Sequence, residues 1–489
     1  MAIIDTSPAS TWGSRWTFSL ALAATVLGLG NLWQVPPAMV AHGGGAFLLV
    51  YVLVLFFAGV PVVMAELSLA RRCHTSPIPA LRRISQGSAL APWMPWVGRS
   101  MVLAACLLLG LYAVVGGIAL AYLFAAALGD LAGHSPGASL AFFTDFHGNR
   151  GGVLFWQLVF MLLVIAVSIR PLQQGLQRSL RTLMPLLALI IVVMAVVGAI
   201  SGKAGEASWA LFSFRWQDLG WEGILKAASM AFFSLAIGTG ALMTLGAYMP
   251  GNASVPVSAI GVAVADLVVT LLVGLAVVSM LFAHQVASVS GFELIFVALP
   301  QIFDVMPAGQ LVGSLFYIML VLLAWTSALF VMEVIVARVT EMLGGLRFPA
   351  TLVAAVPACL SGALAAWGFS GESGIDFFSW MSHLAALLFI PVGVLGIVLL
   401  AGRSLPPLRV VSFLGLTGTA FRLWRQLLGV LVPLIVLIVV GSGAYERFRV
   451  LCVENPSGWC GHGDGQQLQE IGPVSEEPIG GSMNDGGNP

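Results

Sequence analysis

Four carboxyl groups fall within long apolar stretches of the sequence, where an ionisable side chain is costly and therefore marks a candidate functional residue. They are Glu66, Asp266, Glu333 and Asp376. The stretch from Val262 to Val273 offers Asp266 no basic neighbour, so its carboxyl group is either protonated and structural or paired with a bound cation. Hard cations prefer oxygen ligands. For Glu66 and Glu333, a structural role as an acid hydrogen-bonded to broken backbone or to a loop is the simpler interpretation.

Two hydroxyl groups stand side by side at Thr326 and Ser327, in a segment that otherwise contains Leu, Ala, Val and Phe. Such hydroxyls commonly bond the carbonyl four residues back or help helices to pack, and from the residues alone we expect that structural role. Ser361 and His383 also lie in apolar segments and would suit an intramembrane hydrolase. Neither has an orienting acid nearby in the sequence, so we expect no enzymatic activity.

The elements that must position these groups include two interrupted helices. The apolar segment from about Trp16 to Val40 contains Gly28, Gly30 and Pro36, and a later segment carries the same spacing at Gly238 and Gly240. Each glycine costs about 1 kcal/mol of helix relative to alanine, and freed backbone groups are unsatisfied in lipid. One Gly-x-Gly alone indicates close helix packing. Two breaks in corresponding positions predict a transporter site near the membrane midplane.

The composition is that of an integral membrane protein, since 59% of the 489 residues are apolar and only 9% are charged. Apolar runs of the length needed to cross a bilayer as helix, about 20 residues, predict eleven spans, centred near residues 28, 58, 111, 160, 186, 235, 270, 325, 358, 388 and 433. The net charge is zero and no basic tract occurs, so we expect the lipid bilayer and no nucleic acid as a partner. The oligomeric state is not predicted.

Arginines concentrate in the loops after spans two, four, eight and ten, which the positive-inside rule places in the cytoplasm. We therefore expect a plasma (inner) membrane protein with a cytoplasmic N-terminus and an outer C-terminus. The tail from Glu446 is acidic, and beyond about Gly461 its composition predicts disorder; Cys452 and Cys460 either pair or stay free. The segment from Gly291 to Pro300 predicts a short helix stopped by proline, which caps a vestibule or forms a surface loop.

Several of these motifs closely resemble the neurotransmitter:sodium symporter family, in a bacterial-type form without a twelfth span. The resemblance extends from about residue 12 to residue 400. It rests on Trp12-Gly-Ser-Arg-Trp, Gly28-Leu-Gly-Asn-Leu-Trp-Gln-Val-Pro36, Gly43-Gly-Gly-Ala-Phe47 with Tyr51, Gly59-Val-Pro with Glu66, and then Tyr112, Phe233-Ser234, Asp266, Thr326-Ser327 and Asp376.

The resemblance implies an all-α membrane protein with two five-helix inverted repeats, whose first and sixth helices are broken at the site. The corresponding parts of the chain are an N-terminal segment (1–14), the first repeat (15–202), the second repeat (203–402), a basic loop with the eleventh span (403–445) and the tail (446–489).

The resemblance also implies two sodium sites. Carried over by position, the first uses the Val26 carbonyl, the side chains of Asn31 and Asp266, and Ser234. The second uses the carbonyls of Ala24, Leu27 and Leu323 with the hydroxyls of Thr326 and Ser327. In this context the hydroxyl pair is interpreted as ligand rather than packing.

For the substrate, the resemblance implies that the amides of Leu29 and Gly30 and the Tyr112 hydroxyl hold a carboxylate, helped by the helix-end dipole. The substrate-contacting set is Val26, Leu29, Gly30, Leu108, Tyr112, Phe233, Ser234, Ala236, Thr239, Ser327, Phe330 and Val331. Phe233 is the expected lid, and it forms the outer gate with Gln34 and Asp376. Gly28 stands where amine-selective members carry Asp, which favours a substrate that brings its own carboxylate.

Two departures from the family pattern, and one position that varies among relatives, shape the expected function. Gln34 replaces the usual gate Arg, and Ala236 stands where amino-acid-transporting relatives have Ser. Asp266 stands where some relatives carry Asn, and this fixed charge implies that chloride is not required, although Tyr51 and Thr270 could still form part of an anion pocket with Ser234. We expect a sodium symporter for a small neutral hydrophobic amino acid. The alternatives are an uncharged, indole-like aromatic substrate or a sensor that does not transport.

Overall fold

The computed structural model describes residues 12–129, 131, 138–200, 203–286, 290–368 and 377–454. Within these ranges the regular elements are helices, and the one isolated β-bridge joins Gly44 to Phe214. One compact unit extends to Val440 and a second contains the remaining residues from Gly441. The predicted all-α class is confirmed.

Nine of the described helices are long and apolar enough to cross a membrane. They are Gly45–Arg71, Met94–Leu128, Arg150–Ser168, Leu176–Ile200, Val255–Ala283, Gly309–Met342, Arg347–Trp367, Phe377–Ser404 and Gly418–Arg449, the last of which continues to Glu454. A tenth is the bent pair Arg15–Val26 and Gly30–Ala41, whose axes differ by 53°. Ten of the eleven predicted spans therefore have a matching helix or bent pair.

The predicted sixth span has no matching helix among the described ones that are long and apolar enough to cross a membrane. Its place is taken by Trp216–Ser234 and Ala241–Ala247, which are separated by a six-residue break. The first piece carries Asp218, Glu222 and Lys226, so its mean hydropathy is too low for a spanning helix. The count of eleven is thus not confirmed, whereas the break at Gly238 and Gly240 is present as predicted.

The shorter helices connect and cap the long ones. They are Pro77–Ile84, Ala138–Gly148, Ala204–Phe212, Gly291–Glu293, Leu299–Val305 and Pro407–Leu414. The two longest helices, Met94–Leu128 and Gly309–Met342, pack along each other and are the most deeply buried. These two helices carry Tyr112 and the Thr326–Ser327 pair, and they position these residues beside the broken helices.

Prolines explain the local geometry of five wide turns in the described helices. Each π-helical turn ends two residues before a proline: Leu55–Gly59, Leu294–Ala298, Ala385–Phe389, Leu400–Ser404 and Leu427–Leu431 precede Pro61, Pro300, Pro391, Pro406 and Pro433. In each turn the residue before the proline bonds the carbonyl five residues back, as Val60 does to Leu55. A proline ring clashes with the carbonyl four residues back, and the wider turn relieves that clash.

The segment around Pro300 corrects one prediction. Pro300 does not stop the helix, because the π-helical turn Leu294–Ala298 relieves the clash of its ring and the helix continues through Leu299–Val305. Three predictions lie outside the described residues: the position of Asp376, disorder beyond Gly461, and a Cys452–Cys460 pairing, since residues 369–376 and 455–489 and the Cys452 side chain are not described.

Candidate functional site

The first broken helix frees backbone oxygens in the centre of the fold. Helix Arg15–Val26 ends at Leu27, whose ψ of 78° leaves the helical range, and helix resumes at Gly30. A Cβ added to Gly28 would meet only the Tyr112 hydroxyl at 3.7 Å and the Val26 carbonyl at 3.9 Å. Gly28 is therefore not required by backbone conformation, and its missing side chain leaves space in front of Tyr112.

The second break depends on backbone conformations that favour glycine. Gly238 and Gly240 have φ values of 74° and 80°. A Cβ on Gly238 would lie 2.5 Å from the Ile390 carbonyl oxygen. The Gly238 amide donates a 2.7 Å hydrogen bond to the fully buried Glu66 carboxyl group. The interpretation of Glu66 as an acid that satisfies broken backbone is confirmed.

Ala236, in the same break, also has a positive φ of 53°. This is strained for a residue with a Cβ, by roughly 1 kcal/mol or more. Strained backbone of this kind persists only where surrounding structure holds it, and it concentrates at functional sites. The backbone of the break is thus held in place by its neighbours rather than by local preference.

Asp266 is the centre of a buried polar cluster that joins both breaks. Its carboxylate accepts hydrogen bonds from Asn31 Nδ2 at 2.8 Å and from the Tyr51 hydroxyl at 2.7 Å. Ser234 Oγ lies 3.1 Å from the Tyr51 hydroxyl, and Asn31 Nδ2 lies 3.5 Å from the Val26 carbonyl. The structure therefore brings together all four residues predicted for the first sodium site.

The charge of this cluster is uncompensated by protein. Asp266 is 0% exposed, and within the described residues no Lys or Arg forms an ion pair with it. A buried carboxyl group that stays ionised needs a positive partner as well as hydrogen bonds, and without one it takes up a proton. Because Asn31 uses its amide nitrogen towards Asp266, its amide oxygen is left for another partner. Carbonyl, amide and carboxylate oxygens are the donor set that a hard cation requires.

A second group of oxygens lies where the first break meets helix Gly309–Met342. Ser327 Oγ donates to the Leu27 carbonyl at 3.3 Å, across 300 positions of sequence. Thr326 Oγ1 bonds the carbonyls of Leu322 at 2.9 Å and Leu323 at 3.1 Å within its own helix. Thr326 thus makes the local bond that such hydroxyls commonly form, while Ser327 reaches the other helix. Ala24, the remaining predicted ligand, is buried in helix Arg15–Val26.

A cavity of about 330 Å³ opens beside these two clusters; we call it the central cavity. Eleven of the twelve predicted substrate-contacting residues line it, namely Val26, Leu29, Gly30, Leu108, Tyr112, Phe233, Ser234, Ala236, Thr239, Ser327 and Val331. Phe330 is buried and is not part of the lining. Gln34, the predicted gate residue, lines the cavity as well.

Aromatic residues that the sequence did not indicate line the mouth of the central cavity. Phe292 lies with its ring centroid 5.3 Å from that of Trp33 and 5.2 Å from that of Phe378. All three rings line the cavity, and Phe233 is 38% exposed. Phe233, the predicted lid residue, lines the cavity as well. The sequence contained one indication of Phe292, because the segment that begins at Gly291 was predicted to cap a vestibule or to form a surface loop.

The pieces of the two broken helices near this mouth are connected to each other. Lys226 Nζ lies 2.5 Å from Glu222 Oε1 and 3.3 Å from His42 Nε2, and Arg215 Nη2 donates to the Val40 carbonyl at 2.7 Å. Burial, and secondarily the Lys226 ammonium, lower the pKa of His42, so its ring stays neutral near pH 7. These contacts tie Gly30–Ala41 to Trp216–Ser234, so we expect the two pieces to move together.

A second polar network, the Glu333 network, lies towards the other end of helix Gly309–Met342. Arg347 forms a bidentate pair with Glu333 at 3.0 and 2.6 Å and also donates to the Ser168 carbonyl at 3.0 Å. The Tyr248 hydroxyl donates to Glu333 at 3.3 Å, and the Trp12 amide donates to the Tyr248 carbonyl at 3.1 Å. The structural interpretation of Glu333 is confirmed. Its contacts join helix Gly309–Met342 to Tyr248, to the start of the next helix at Arg347 and to the Ser168 carbonyl.

The chain is similar to known sodium-dependent transporters over most of its length. The model of the "Sodium:neurotransmitter symporter family" matches residues 9–141 and 144–446. The "Uncharacterized sodium-dependent transporter YhdH" of Bacillus subtilis is 31% identical, over 88% of this chain and 96% of its own length. The "Sodium- and chloride-dependent neutral and basic amino acid transporter B(0+)" of Mus musculus is 24% identical, over 92% of this chain and 82% of its own.

A solved structure shows the same similarity in three dimensions. The crystal structure of MhsT in complex with L-phenylalanine superimposes with a TM-score of 0.80 at 32% sequence identity. The match covers 88% of this chain and 98% of that one. The two chains therefore share their fold over most of their length.

Proposed function

The chain belongs to the sodium:neurotransmitter symporter family, and on that premise we propose that it imports a small neutral, mainly hydrophobic amino acid by alternating access. Sodium-coupled transport of a small molecule across a membrane follows from the family itself. The substrate class, the ion sites and the orientation are the proposed parts. We place the N-terminus in the cytoplasm and the C-terminus outside, in the plasma membrane, as the arginine-rich loops indicate.

The observation that carries the proposal is the buried, uncompensated Asp266 carboxylate beside the central cavity. A sodium ion there would take oxygens from Val26, Asn31, Ser234 and Asp266. A second ion would take the oxygens around Ser327. Two cations in a low-dielectric interior make the cavity favourable for an anionic group, which is the chemistry of a substrate carboxylate.

The lining of the central cavity supports the amino-acid class. The amides of the first break, at Leu29 and Gly30, and the Tyr112 hydroxyl would bind the carboxylate, as helix N-termini bind anions. The space left by Gly28 admits that group beside Tyr112. Leu108 and Val331 would contact an apolar side chain, and Phe233 would close over it. The relative MhsT was crystallised with L-phenylalanine, which belongs to this class.

An uncharged, indole-like aromatic compound is the second candidate. Ala236 offers no hydroxyl acceptor for an ammonium group, and Gln34 removes a charge from the mouth of the cavity. Both substitutions lower the electrostatic selection for a zwitterion. The two candidates differ in whether the ligand must carry a carboxylate.

Alternating access would use the two ends of the fold in turn. In this proposal the central cavity would open to one side of the membrane, and separation of the Glu333 network would open the other. Binding of sodium and substrate would draw the connected outer pieces of the broken helices inwards and turn Phe233 over the substrate. Release on the other side would require the Tyr248, Glu333 and Arg347 contacts to separate.

A thermal-shift screen tests the substrate class. A ligand at a hundredfold excess over its Kd stabilises the folded protein by about 2.7 kcal/mol. We expect L-phenylalanine and L-leucine to raise the unfolding temperature in sodium but not in potassium, and phenethylamine and indole to have no effect. Stabilisation by indole without any by amino acids would favour the second candidate. Equal shifts in potassium would contradict the sodium sites.

A further inference from the structure

A basic cleft lies at the loop between helices Arg150–Ser168 and Leu176–Ile200. Its volume is about 570 Å³. We call it the arginine cleft, and its lining consists of Arg170, Gln173, Gln174, Gln177, Arg178 and Arg181. The lining contains three positive charges and no acidic residue.

The three guanidinium groups are uncompensated by the protein. The sequence has no acidic residue between Asp145 and Glu206. Within the described part of the chain, none of the three guanidinium groups forms a hydrogen bond or ion pair. Arg347, which begins another helix, is by contrast paired with Glu333. Three like charges that share one cleft repel each other, so an anion bound between them would be stabilised.

The arginine cleft continues into an apolar surface. On helix Leu176–Ile200 the positions 178, 181, 189, 192 and 196 share one face, because their spacings follow the 3.6-residue helical period. Leu189, Val192 and Val196 are 60%, 48% and 50% exposed, as expected of side chains that face lipid. At about 1.5 Å per residue, position 192 lies about 16 Å from position 181, close to half of the roughly 30 Å hydrocarbon core.

We propose that the arginine cleft binds the phosphate of an anionic phospholipid, whose acyl chain lies along the apolar stripe of Leu189, Val192 and Val196. The stripe distinguishes a lipid from a free phosphate ion, which would gain nothing from it. Basic pockets between membrane helices on the cytoplasmic side are suited to anionic headgroups. The positive-inside rule places these arginines on that side.

The arginine cleft is connected to the start of the first broken helix. Gln177, which is 5% exposed, accepts a 3.3 Å hydrogen bond from the Gly13 amide. Gly13 lies two residues before helix Arg15–Val26. A lipid bound in the arginine cleft would therefore contact Gln177, the residue that also holds Gly13 in place. We expect the uptake rate to be higher in bilayers that contain an anionic phospholipid.

The test measures retention of phosphatidylglycerol by the full-length protein in native mass spectrometry, with phosphatidylcholine as the neutral comparison. Each basic residue near an anionic surface contributes about 1 kcal/mol, a factor of about five, so replacing all three weakens binding about a hundredfold. The variant is Arg170→Gln, Arg178→Gln and Arg181→Gln. A matched control replaces three exposed arginines elsewhere, Arg82→Gln, Arg83→Gln and Arg422→Gln.

The proposal predicts that the parent and the control retain phosphatidylglycerol but not phosphatidylcholine, and that the cleft variant loses this preference. Equal retention by the cleft variant would overturn it. Two further measurements test whether another ligand occupies the arginine cleft. Thermal protection by inorganic phosphate alone, without any by phosphatidylglycerol, would assign the cleft to a free anion. Lipid binding that appears only after deletion of residues 2–11, which include Asp5, would assign it to the N-terminal segment of this chain.

Discussion

Replacement of Asp266 by asparagine removes one negative charge from the proposed first sodium site with almost no change in volume. In the parent protein the Asp266 carboxylate accepts hydrogen bonds from both Asn31 and Tyr51. An amide has a single oxygen, so one of these two donors would face an NH₂ group instead. The substitution therefore weakens both the charge balance and the local hydrogen bonding, while the surrounding apolar packing is kept.

The expected loss can be estimated from the charge alone. Opposite unit charges about 4 Å apart attract by about 4 kcal/mol at an effective dielectric constant of 20. Since about 1.4 kcal/mol corresponds to tenfold in a binding constant, Asp266→Asn should weaken sodium binding by up to about a thousandfold. The same fixed charge makes a mobile anion unnecessary in the parent protein, so transport by the parent should not require chloride.

The assay is the sodium concentration that gives half-maximal uptake in proteoliposomes, measured in chloride and in gluconate. The parent should give the same value in both, and Asp266→Asn should require far more sodium, with an uptake that chloride partly restores. Asp218→Asn is the matched control, because its pair with Arg215 is half-exposed and worth at most about 1 kcal/mol. An unchanged sodium requirement in Asp266→Asn, or chloride dependence of the parent, would refute the charge-substitution reasoning.

Four further variants test other parts of the structure. Thr326→Val with Ser327→Ala removes two oxygens from the proposed second sodium site and should abolish sodium-dependent uptake in a folded protein; normal sodium dependence would discard that site. Gln34→Arg should favour closure of the cavity mouth and slow exchange, measured as lower accessibility of a cysteine placed there, and identical accessibility would remove support for the gate. Gly238→Ala forces a Cβ to 2.5 Å from a carbonyl oxygen and should abolish uptake, whereas normal uptake would mean that the break relaxes easily. Glu333→Gln breaks a buried ion pair and should cost about 3 kcal/mol of stability, seen as a lower unfolding temperature.

The sequence predicted the helical class, both broken helices and the buried acids, because each produces a local signal. Gly28 with Gly30 and Gly238 with Gly240 interrupt apolar runs that would otherwise continue as helix. Asp266 is conspicuous because its helix contains no basic residue near it. The assignment of particular oxygens to two ions came instead from family resemblance, since no spacing rule indicates which carbonyls face a cation.

Contacts that join distant parts of the chain were beyond sequence reasoning. The pair between Glu333 and Arg347 crosses a helix end and a turn, and the contact of Phe292 with Phe378 depends on how two segments pack. The sixth span, which the sequence predicted near residue 235, does not form one long apolar helix because Trp216–Ser234 is too polar. Its polar residues are explained by the contacts they make with the first broken helix, which only the folded chain shows.

The central claim is tested most directly by uptake of labelled L-phenylalanine into proteoliposomes that contain the purified protein. An inward sodium gradient should drive accumulation above the external concentration, and an equal potassium gradient should not. Preloading with unlabelled L-phenylalanine should also produce counterflow, which a sensor that only binds cannot do. Sodium-dependent binding without accumulation or counterflow would contradict transport, and accumulation that is equal in potassium would contradict sodium coupling.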